Sequence, residues 1–211
     1  ASLIKEKEMD DHFKLSGLIK ALNPSILGHT NFLFKENSEV KSIEELIIHT
    51  FEGETTRNEM KDLMDQYGYK DMMVSAVFKN ILDNGVFIEI GRDELYPSSK
   101  LSLTDEEIDE VKKYVEEQMA GKEYLCMSKL KGYRRKLPSI DLVWSPHLIK
   151  SILVKDGAFR QITKEYNDYR YDELIIVKAE SEIQTFDDLV YFILKEEYEE
   201  ITIGHYVKNF F

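Results

Sequence analysis

The sequence has very little cysteine: Cys126 is the only one among 211 residues, so no disulfide can form within the chain. It lies between Leu125 and Met127, and we interpret it as a small hydrophobic residue, not as a reactive thiol. The five histidines are scattered, without a His-x-x-x-His pair. Because a zinc site needs several thiolate or imidazole ligands at close spacing, the sequence predicts no metal site.

The short motifs of common enzymes are also missing. The sequence has no phosphate loop of the form Gly-x-x-x-x-Gly-Lys-Ser or Gly-x-Gly-x-x-Gly, and no Gly-x-Ser-x-Gly nucleophile elbow. Its adjacent acids, Asp10-Asp11 and Asp187-Asp188, are interpreted as helix-start residues, where negative charge complements the helix dipole. We therefore predict a protein without enzymatic activity and without a cofactor.

Long apolar runs are absent as well. No run approaches the roughly 20 residues that cross a bilayer. The first residues, Ala-Ser-Leu-Ile-Lys-Glu-Lys, have no signal-peptide pattern. We therefore expect a cytoplasmic protein that does not enter a membrane.

Positive charge is in short supply, because the net charge is −12. A general attraction of the whole surface to nucleic acid is therefore not expected. The charge is unevenly distributed: residues 129–160 hold 8 basic and 2 acidic side chains, whereas residues 165–200 hold 3 basic and 12 acidic ones. Any contact with nucleic acid is predicted to be local.

An internal repeat is present. The segment 38–47, Ser-Glu-Val-Lys-Ser-Ile-Glu-Glu-Leu-Ile, returns 143 positions later at 181–190 as Ser-Glu-Ile-Gln-Thr-Phe-Asp-Asp-Leu-Val. Every position is identical or similar in size, and all but Lys41/Gln184 keep the same charge, which is the signature of a repeated structural unit. We predict that both segments start the same kind of unit.

Three helices and a hairpin are predicted in the first copy. Ser42 and Thr56, each with a glutamate three residues later, start two helices as capping boxes. Apolar residues recur at spacings of three and four over 69–84, which predicts a third helix. The period then changes to two over 86–96, interrupted by a Gly91-Arg92-Asp93 turn, and predicts a hairpin that Pro97 closes.

This order resembles the winged helix-turn-helix superfamily. The form Gly-x-Phe-Ile-x-Ile-Gly-Arg at 85–92 looks like the wing of such modules in bacterial transcription proteins, such as the RNA polymerase delta subunit amino-terminal domain and sigma-like proteins. In that superfamily the third helix commonly enters the major groove and the wing touches the backbone or the minor groove. The resemblance implies that the DNA contacts here are Lys70, Ser75, Lys79 and Arg92. Charge departs from this pattern, because residues 41–99 hold 6 Lys or Arg against 12 Asp or Glu.

The chain is predicted to be mainly α with small β-hairpins, an α+β fold, in four segments. Residues 1–37 form an N-terminal helical extension that Asn23-Pro24 interrupts. Residues 38–97 form the winged-helix unit. Residues 98–136 contain a linking helix, capped by Thr104, and a basic segment. Residues 137–211 form a second, partial winged-helix-like repeat.

Several elements are predicted in the last segment. Ser145-Pro146 opens a helix over 146–154, because serine caps and proline is favoured at the first helical position. Trp144 is interpreted as a core anchor. Residues 157–171 are predicted to form a loop or an irregular hairpin and 174–177 a strand. Thr185 caps a further helix, and 203–211 is predicted to be helical.

The strongest local concentration of positive charge is at 129–136, Lys-Leu-Lys-Gly-Tyr-Arg-Arg-Lys, with five cations in eight residues. Such a cluster is expected to attract phosphate groups. The same charges could instead neutralise acidic neighbours, and the sequence leaves both interpretations open. The candidate phosphate contacts are Lys129, Lys131, Arg134, Arg135 and Lys136.

Two hypotheses of function follow. The first is a non-enzymatic DNA-binding module of a transcription or DNA-transaction protein, with phosphate contacts from the basic segment. The second is an acidic protein-interaction module that docks on RNA polymerase or another protein, which the charge of residues 41–99 favours. The apolar edge predicted at the end of the chain should be covered by the body of the protein, by a second chain or by more of a longer chain: Tyr206, Val207, Phe210 and Phe211.

Overall fold

The computed structural model describes residues 12–29, 32–162 and 174–197. The chain divides into two compact units, unit 1 at 1–102 and unit 2 at 103–211. Both mix helices with small antiparallel sheets, so the predicted α+β class is confirmed. No helix in the described ranges combines the length and apolar character needed to cross a membrane.

The first described elements of unit 1 are a helix and a hairpin. Helix α1 (His12–Leu22) ends just before Asn23-Pro24, as predicted. Strands β1 (Ile26–His29) and β2 (Phe32–Lys35) then pair antiparallel, so the predicted helical extension is helical only in its first part. Gly28 has φ +106° in β1, a value that side-chain-bearing residues avoid.

The three helices predicted for the first copy are present. They are α2 (Ile43–Thr50), α3 (Arg57–Gln66) and α4 (Asp71–Asp83). Ser42 accepts a hydrogen bond from the backbone N–H of Glu45, and Thr56 forms a complete capping box with Glu59. Both starts could be predicted because a capping box uses only residues within one helical turn.

The predicted hairpin is also confirmed. It consists of β4 (Phe87–Glu89) and β5 (Glu94–Pro97), and β5 pairs in addition with a two-residue strand, β3 (Thr55–Thr56). The strand order is therefore β3-β5-β4. The core of unit 1 is formed by buried residues of these helices and strands: Ile43, Ile47, Met60, Met64, Val74, Val77, Ile81, Phe87 and Leu95.

In the described residues, unit 2 has four α-helices and three strands. They are α5 (Asp105–Met119), β6 (Tyr124–Cys126), α6 (Tyr133–Lys136), α7 (Pro146–Asp156), β7 (Phe159–Ile162), β8 (Ile175–Lys178) and α8 (Phe186–Glu197). The strand order is β6-β8-β7. The predicted loop or irregular hairpin after Gly157 begins with the regular strand β7. The helix predicted at 203–211 and its apolar edge lie outside the described residues.

The two units repeat one order of elements. In each, a helix is followed by a strand, two helices and a hairpin, and the first strand pairs with the second strand of the hairpin. The second occurrence runs from Asp105 to Lys178. It therefore begins earlier than the predicted start at 137, which falls between α6 and α7. The residues themselves recur clearly only in the linker and the helix start. The repeat is therefore detectable in the sequence at 38–47 and 181–190, and not over the whole unit.

A constant spacing joins each hairpin to the next helix. The second hairpin strands end at Lys35, Pro97 and Lys178, and the following helix caps are Ser42, Thr104 and Thr185, seven residues later each time. In the first and third linkers, the hydroxyls of Ser38 and Ser181 also accept from the backbone N–H two residues on. The repeated decapeptides thus have the same local structure.

The helices after these linkers bury different faces. Ile47 of α2 is 0% exposed, whereas its counterpart in α8, Val190, is 38% exposed. In α8 the buried residue is Leu189, which packs with Ile162, Ile175 and Val177 of the sheet. The linker and cap are therefore common to both copies, but the packing of the helix depends on its own unit.

Candidate nucleic-acid interface

The basic segment, residues 129–136, is a turn held at both ends by buried leucines. A 3-10 turn (Met127–Lys129) leads to Leu130, and α6 leads to Leu137; both leucines are buried. Between them Gly132 has φ +78° and precedes α6. Glycine adopts this left-handed conformation, in which it caps α6, without the steric cost that a side chain would add.

Tyr114 of α5 holds this turn in place through two contacts. Its hydroxyl donates a hydrogen bond to the carbonyl oxygen of Lys131 at 2.9 Å, and the ammonium of Lys136 lies 5.8 Å from its ring centroid. The side chain is buried, and this burial raises the pKa of Tyr114 above its ordinary value. The hydrogen bond from this phenol ties the turn to α5.

A second buried aromatic residue fixes the chain that leaves the turn. The indole N–H of Trp144 donates to the carbonyl oxygen of Pro138 at 2.6 Å, and Trp144 is buried. The prediction that Trp144 is a core anchor is confirmed. Two part-buried hydrogen bonds from aromatic side chains therefore hold the backbone at Lys131, within the basic segment, and at Pro138, two residues after it.

All five cations of the segment are exposed to solvent: Lys129, Lys131, Arg134, Arg135 and Lys136. None of them forms an ion pair with a carboxylate in the described parts of the chain, where the ion pairs involve Arg57, Lys61 and Lys112. The guanidinium of Arg134 lies 6.0 Å from the ring of Tyr133. Local neutralisation by described acids therefore does not account for this charge.

The contacts implied in unit 1 form a separate set. Lys70 immediately precedes α4, Lys79 is exposed on its outer face, and Arg92 is exposed in the β4–β5 turn. Ser75 is exposed too, and its hydroxyl donates to the carbonyl of Asp71 at 2.9 Å. Asp71 also pairs with Lys61 at 2.9 Å. The predicted contacts therefore lie in both units, this set in unit 1 and the basic segment in unit 2.

The helix just before the hairpin, α4 in unit 1 and α7 in unit 2, differs between the units in what it exposes. Helix α4 buries Val74, Val77 and Ile81 and leaves its other face open to solvent. Helix α7 buries every residue from Leu148 to Leu153, including Lys150 and Ser151. The apolar spacing of α7 predicted only the leucines and isoleucines of this run. The burial of its polar side comes from tertiary packing, for which a single sequence has no signal.

The segment that follows β3 in unit 1, and β6 in unit 2, differs in charge between the units. In unit 1 it contains α3, where residues 57–66 hold 2 basic and 3 acidic side chains. In unit 2 it contains the 3-10 turn and α6, where residues 127–136 hold 5 basic side chains and no acid. These two stretches, 57–66 and 127–136, thus carry a net charge of −1 in unit 1 and +5 in unit 2.

Comparison with other proteins adds no identification. Neither family models, nor curated proteins, nor solved structures gave a match to this chain.

Within the described residues, no group of three or more His, Cys, Asp or Glu side chains is arranged to hold a metal ion. Cys126 is partly buried, with its sulfur 2.9 Å from the Ser128 hydroxyl.

Proposed function

We propose that this protein is a non-enzymatic nucleic-acid-binding protein that contacts the phosphate backbone of DNA through the basic segment of unit 2. The observation that carries the proposal is the exposure of five cations on a fixed turn, without a carboxylate partner among the described residues. Cations in this state attract phosphates, and binding is driven by the release of condensed counterions.

The architecture supports the same proposal. Both units contain three helices followed by a hairpin, the order by which residues 38–97 resemble the winged helix-turn-helix superfamily. In unit 2, however, α7 is buried from Leu148 to Leu153, so this helix does not present a face for base edges. The proposed contact therefore reads the backbone and has little sequence preference, since phosphate contacts position a protein without specifying sequence.

The test is a titration of a fluorescently labelled DNA duplex, followed by anisotropy, at salt concentrations from about 50 to about 300 mM. We expect the logarithm of the wild-type association constant to fall with the logarithm of salt concentration with a slope of at most about 4 to 5, as for five phosphates. The double variant Arg134→Ala/Arg135→Ala should bind more weakly and lose about 2 from that slope.

The matched control removes the same charge from unit 1. In Lys70→Ala/Lys79→Ala the affinity and the salt slope should remain close to those of the wild type, because residues 41–99 of unit 1 hold 12 acidic against 6 basic side chains. Equal binding by wild type and Arg134→Ala/Arg135→Ala would exclude the basic segment. A loss confined to the lysine variant would instead assign the contact to α4.

A second candidate function concerns unit 1. The outer face of α4 carries Met72, which is 85% exposed, beside the exposed Ala76, and the surrounding residues 41–99 are acidic. Exposed methionine adapts to partner surfaces, and acidic surroundings favour a basic partner. Unit 1 would then dock on a basic surface of RNA polymerase or another protein while unit 2 holds DNA.

A further inference from the structure

One aromatic side chain lies within the basic segment itself. Tyr133 is the first residue of α6 and is half-buried, so part of its surface is accessible to a ligand. The guanidinium of the exposed Arg134 lies 6.0 Å from the centroid of its ring. Proteins that bind single-stranded nucleic acid combine cations, which follow the backbone, with aromatic rings on which bases stack. The basic segment contains both kinds of group.

The described helices of unit 2 do not offer a surface that fits the groove of a duplex. Helix α6 has four residues, a length of about 6 Å, and the leucines on either side of it, Leu130 and Leu137, are buried. The major groove is about 8.5 Å deep. Helix α7 is buried from Leu148 to Leu153. Helices α5 and α8 hold 7 and 4 acidic side chains against 2 and 1 lysines, so phosphates repel them.

Acidic side chains beside the turn disfavour a duplex further. Tyr114 of α5 holds the carbonyl of Lys131, and the exposed Glu110 and Glu117 lie one helical turn before and after Tyr114. A duplex carries one phosphate charge per about 1.7 Å of its axis, whereas one strand carries one per about 3.4 Å. The acids therefore oppose the denser charge of a duplex more strongly than the charge of a single strand.

From these observations we propose that the basic segment binds single-stranded DNA more tightly than duplex DNA and stacks one base on the ring of Tyr133. The bases of a single strand are unpaired, so one base turns toward this ring while the five cations hold the phosphates. In a duplex the bases remain paired inside the helix, and the phosphate contacts are left to act alone. The inference rests on the proposed function, because both use the same five cations.

The test compares a fluorescently labelled DNA strand of mixed sequence, chosen not to pair with itself, with the duplex that it forms with its complement. Binding of each to the full chain is followed by anisotropy. We expect the wild type to bind the strand at least about fivefold more tightly than the duplex, since one stacked base contributes a factor of this size. Tyr133→Leu should lose this preference, whereas Tyr133→Phe, which keeps the ring, should retain it.

The salt dependence separates stacking from charge. Five phosphate contacts on a single strand give a slope of about 3.5. Tyr133→Leu should leave this slope unchanged because it removes no charge, whereas Arg134→Ala/Arg135→Ala should lower it by about 1.4. The matched control is Tyr191→Leu, which removes a 53% exposed tyrosine of α8 outside the basic segment. It should bind the strand and the duplex like the wild type.

Duplex binding shows whether Tyr133→Leu is folded, because we expect this variant to bind the duplex like the wild type. Wild type that binds the duplex as tightly as the strand would overturn the inference, as would Tyr133→Leu that keeps the preference for the strand. In both cases the proposed function stands if Arg134→Ala/Arg135→Ala still weakens binding. Equal binding of both DNAs by wild type and Arg134→Ala/Arg135→Ala would remove the proposed function, and the inference with it.

Discussion

Single side chains hold neighbouring elements together in both units. In unit 2, Tyr114 joins α5 to the basic segment through the carbonyl of Lys131. Arg160 of β7 donates to the carbonyls of Ala179, Ser181 and Ile183 and so fixes the linker before α8. In unit 1, Arg57 contacts both the hairpin and α4. Each of these side chains bridges elements far apart in sequence, and none could be identified from local pattern.

Arg57 is the clearest case for a stability measurement. Its guanidinium lies 2.6 Å from the Glu89 carboxylate and 5.3 Å from the centroid of Phe78. We expect Arg57→Gln to lower the free energy of unfolding of unit 1 by about 1 kcal/mol, because a partly buried ion pair and a cation–π contact are lost together. Urea unfolding of wild type and variant measures this difference.

The control for Arg57 is Lys61→Gln. The side chains of Lys61 and Asp71 are 43% and 88% exposed, so their ion pair contributes little. Lys61→Gln should therefore leave the unfolding midpoint nearly unchanged. If Arg57→Gln and Lys61→Gln have the same effect, the contacts of Arg57 to Glu89 and Phe78 add nothing beyond surface charge.

At the scale of elements, local and tertiary causes separate cleanly. The starts of α2, α3 and α5 could be predicted because Ser42, Thr56 and Thr104 satisfy free N–H groups within their own first turn. The β1–β2 hairpin was missed because its four-residue strands are too short for a clear period. The strand β3 was missed for the same reason, since it has two residues.

The candidate site was predictable to a similar degree. The charge of residues 129–136 is visible in the sequence, and the structure adds that its five basic side chains are exposed. The anchoring of this segment by Tyr114 could not be predicted, because Tyr114 also fits the apolar stripe of α5. Nothing in the local sequence indicates its hydrogen bond to Lys131. The burial of α7 on its polar side likewise depends on packing partners distant in sequence.

The caps lead to a prediction for pH dependence. The backbone N–H of Thr56, followed by the hydroxyls of Thr56 and Thr55, lowers the pKa of Glu59 below its usual range. A lowered folded-state pKa gives stability that is present above the unfolded-state pKa, about 4.3 for Glu, and is lost as pH falls through the folded-state pKa. We therefore expect Glu59→Gln to unfold at lower urea than the wild type at pH 7 and at the same urea in strong acid.

The matched control for this series is Glu110→Gln, an exposed acid in the middle of α5 away from either end of the helix. It should not reproduce the convergence of the two midpoints with falling pH. A constant difference between wild type and Glu59→Gln from pH 7 into acid would contradict a role for the ionised cap.

At the scale of the molecule, charge divides the chain. Residues 41–99 of unit 1 carry twice as many acids as bases, whereas residues 127–136 of unit 2 carry bases alone. The sequence predicted this division directly, because charge can be counted without knowing the fold. The structure adds the place of the basic residues in the repeated element order. Helix α6 of unit 2 stands where unit 1 has α3, which is 10 residues long.

This division predicts two independent binding functions. In pull-downs of the full chain after nuclease treatment, RNA polymerase or another protein partner of unit 1 should remain bound to wild type and to Arg134→Ala/Arg135→Ala. It should be lost from Met72→Glu/Ala76→Glu, because added acids on α4 disrupt an apolar contact. Loss of every partner after nuclease would leave nucleic acid as the sole bridge and remove the second candidate function.

The constant interval between each hairpin and the next cap has a consequence for how such chains can vary in length. An insertion in that interval would shift a strand end relative to a cap that is kept in all three places. The helices that follow are more tolerant: α2 has 8 residues and α5 has 15. That difference of 7 residues is about two helical turns, so an added piece of this size returns the buried face to nearly the same direction. Growth by whole turns in the first helix is thus a route by which a unit can be enlarged without altering its register.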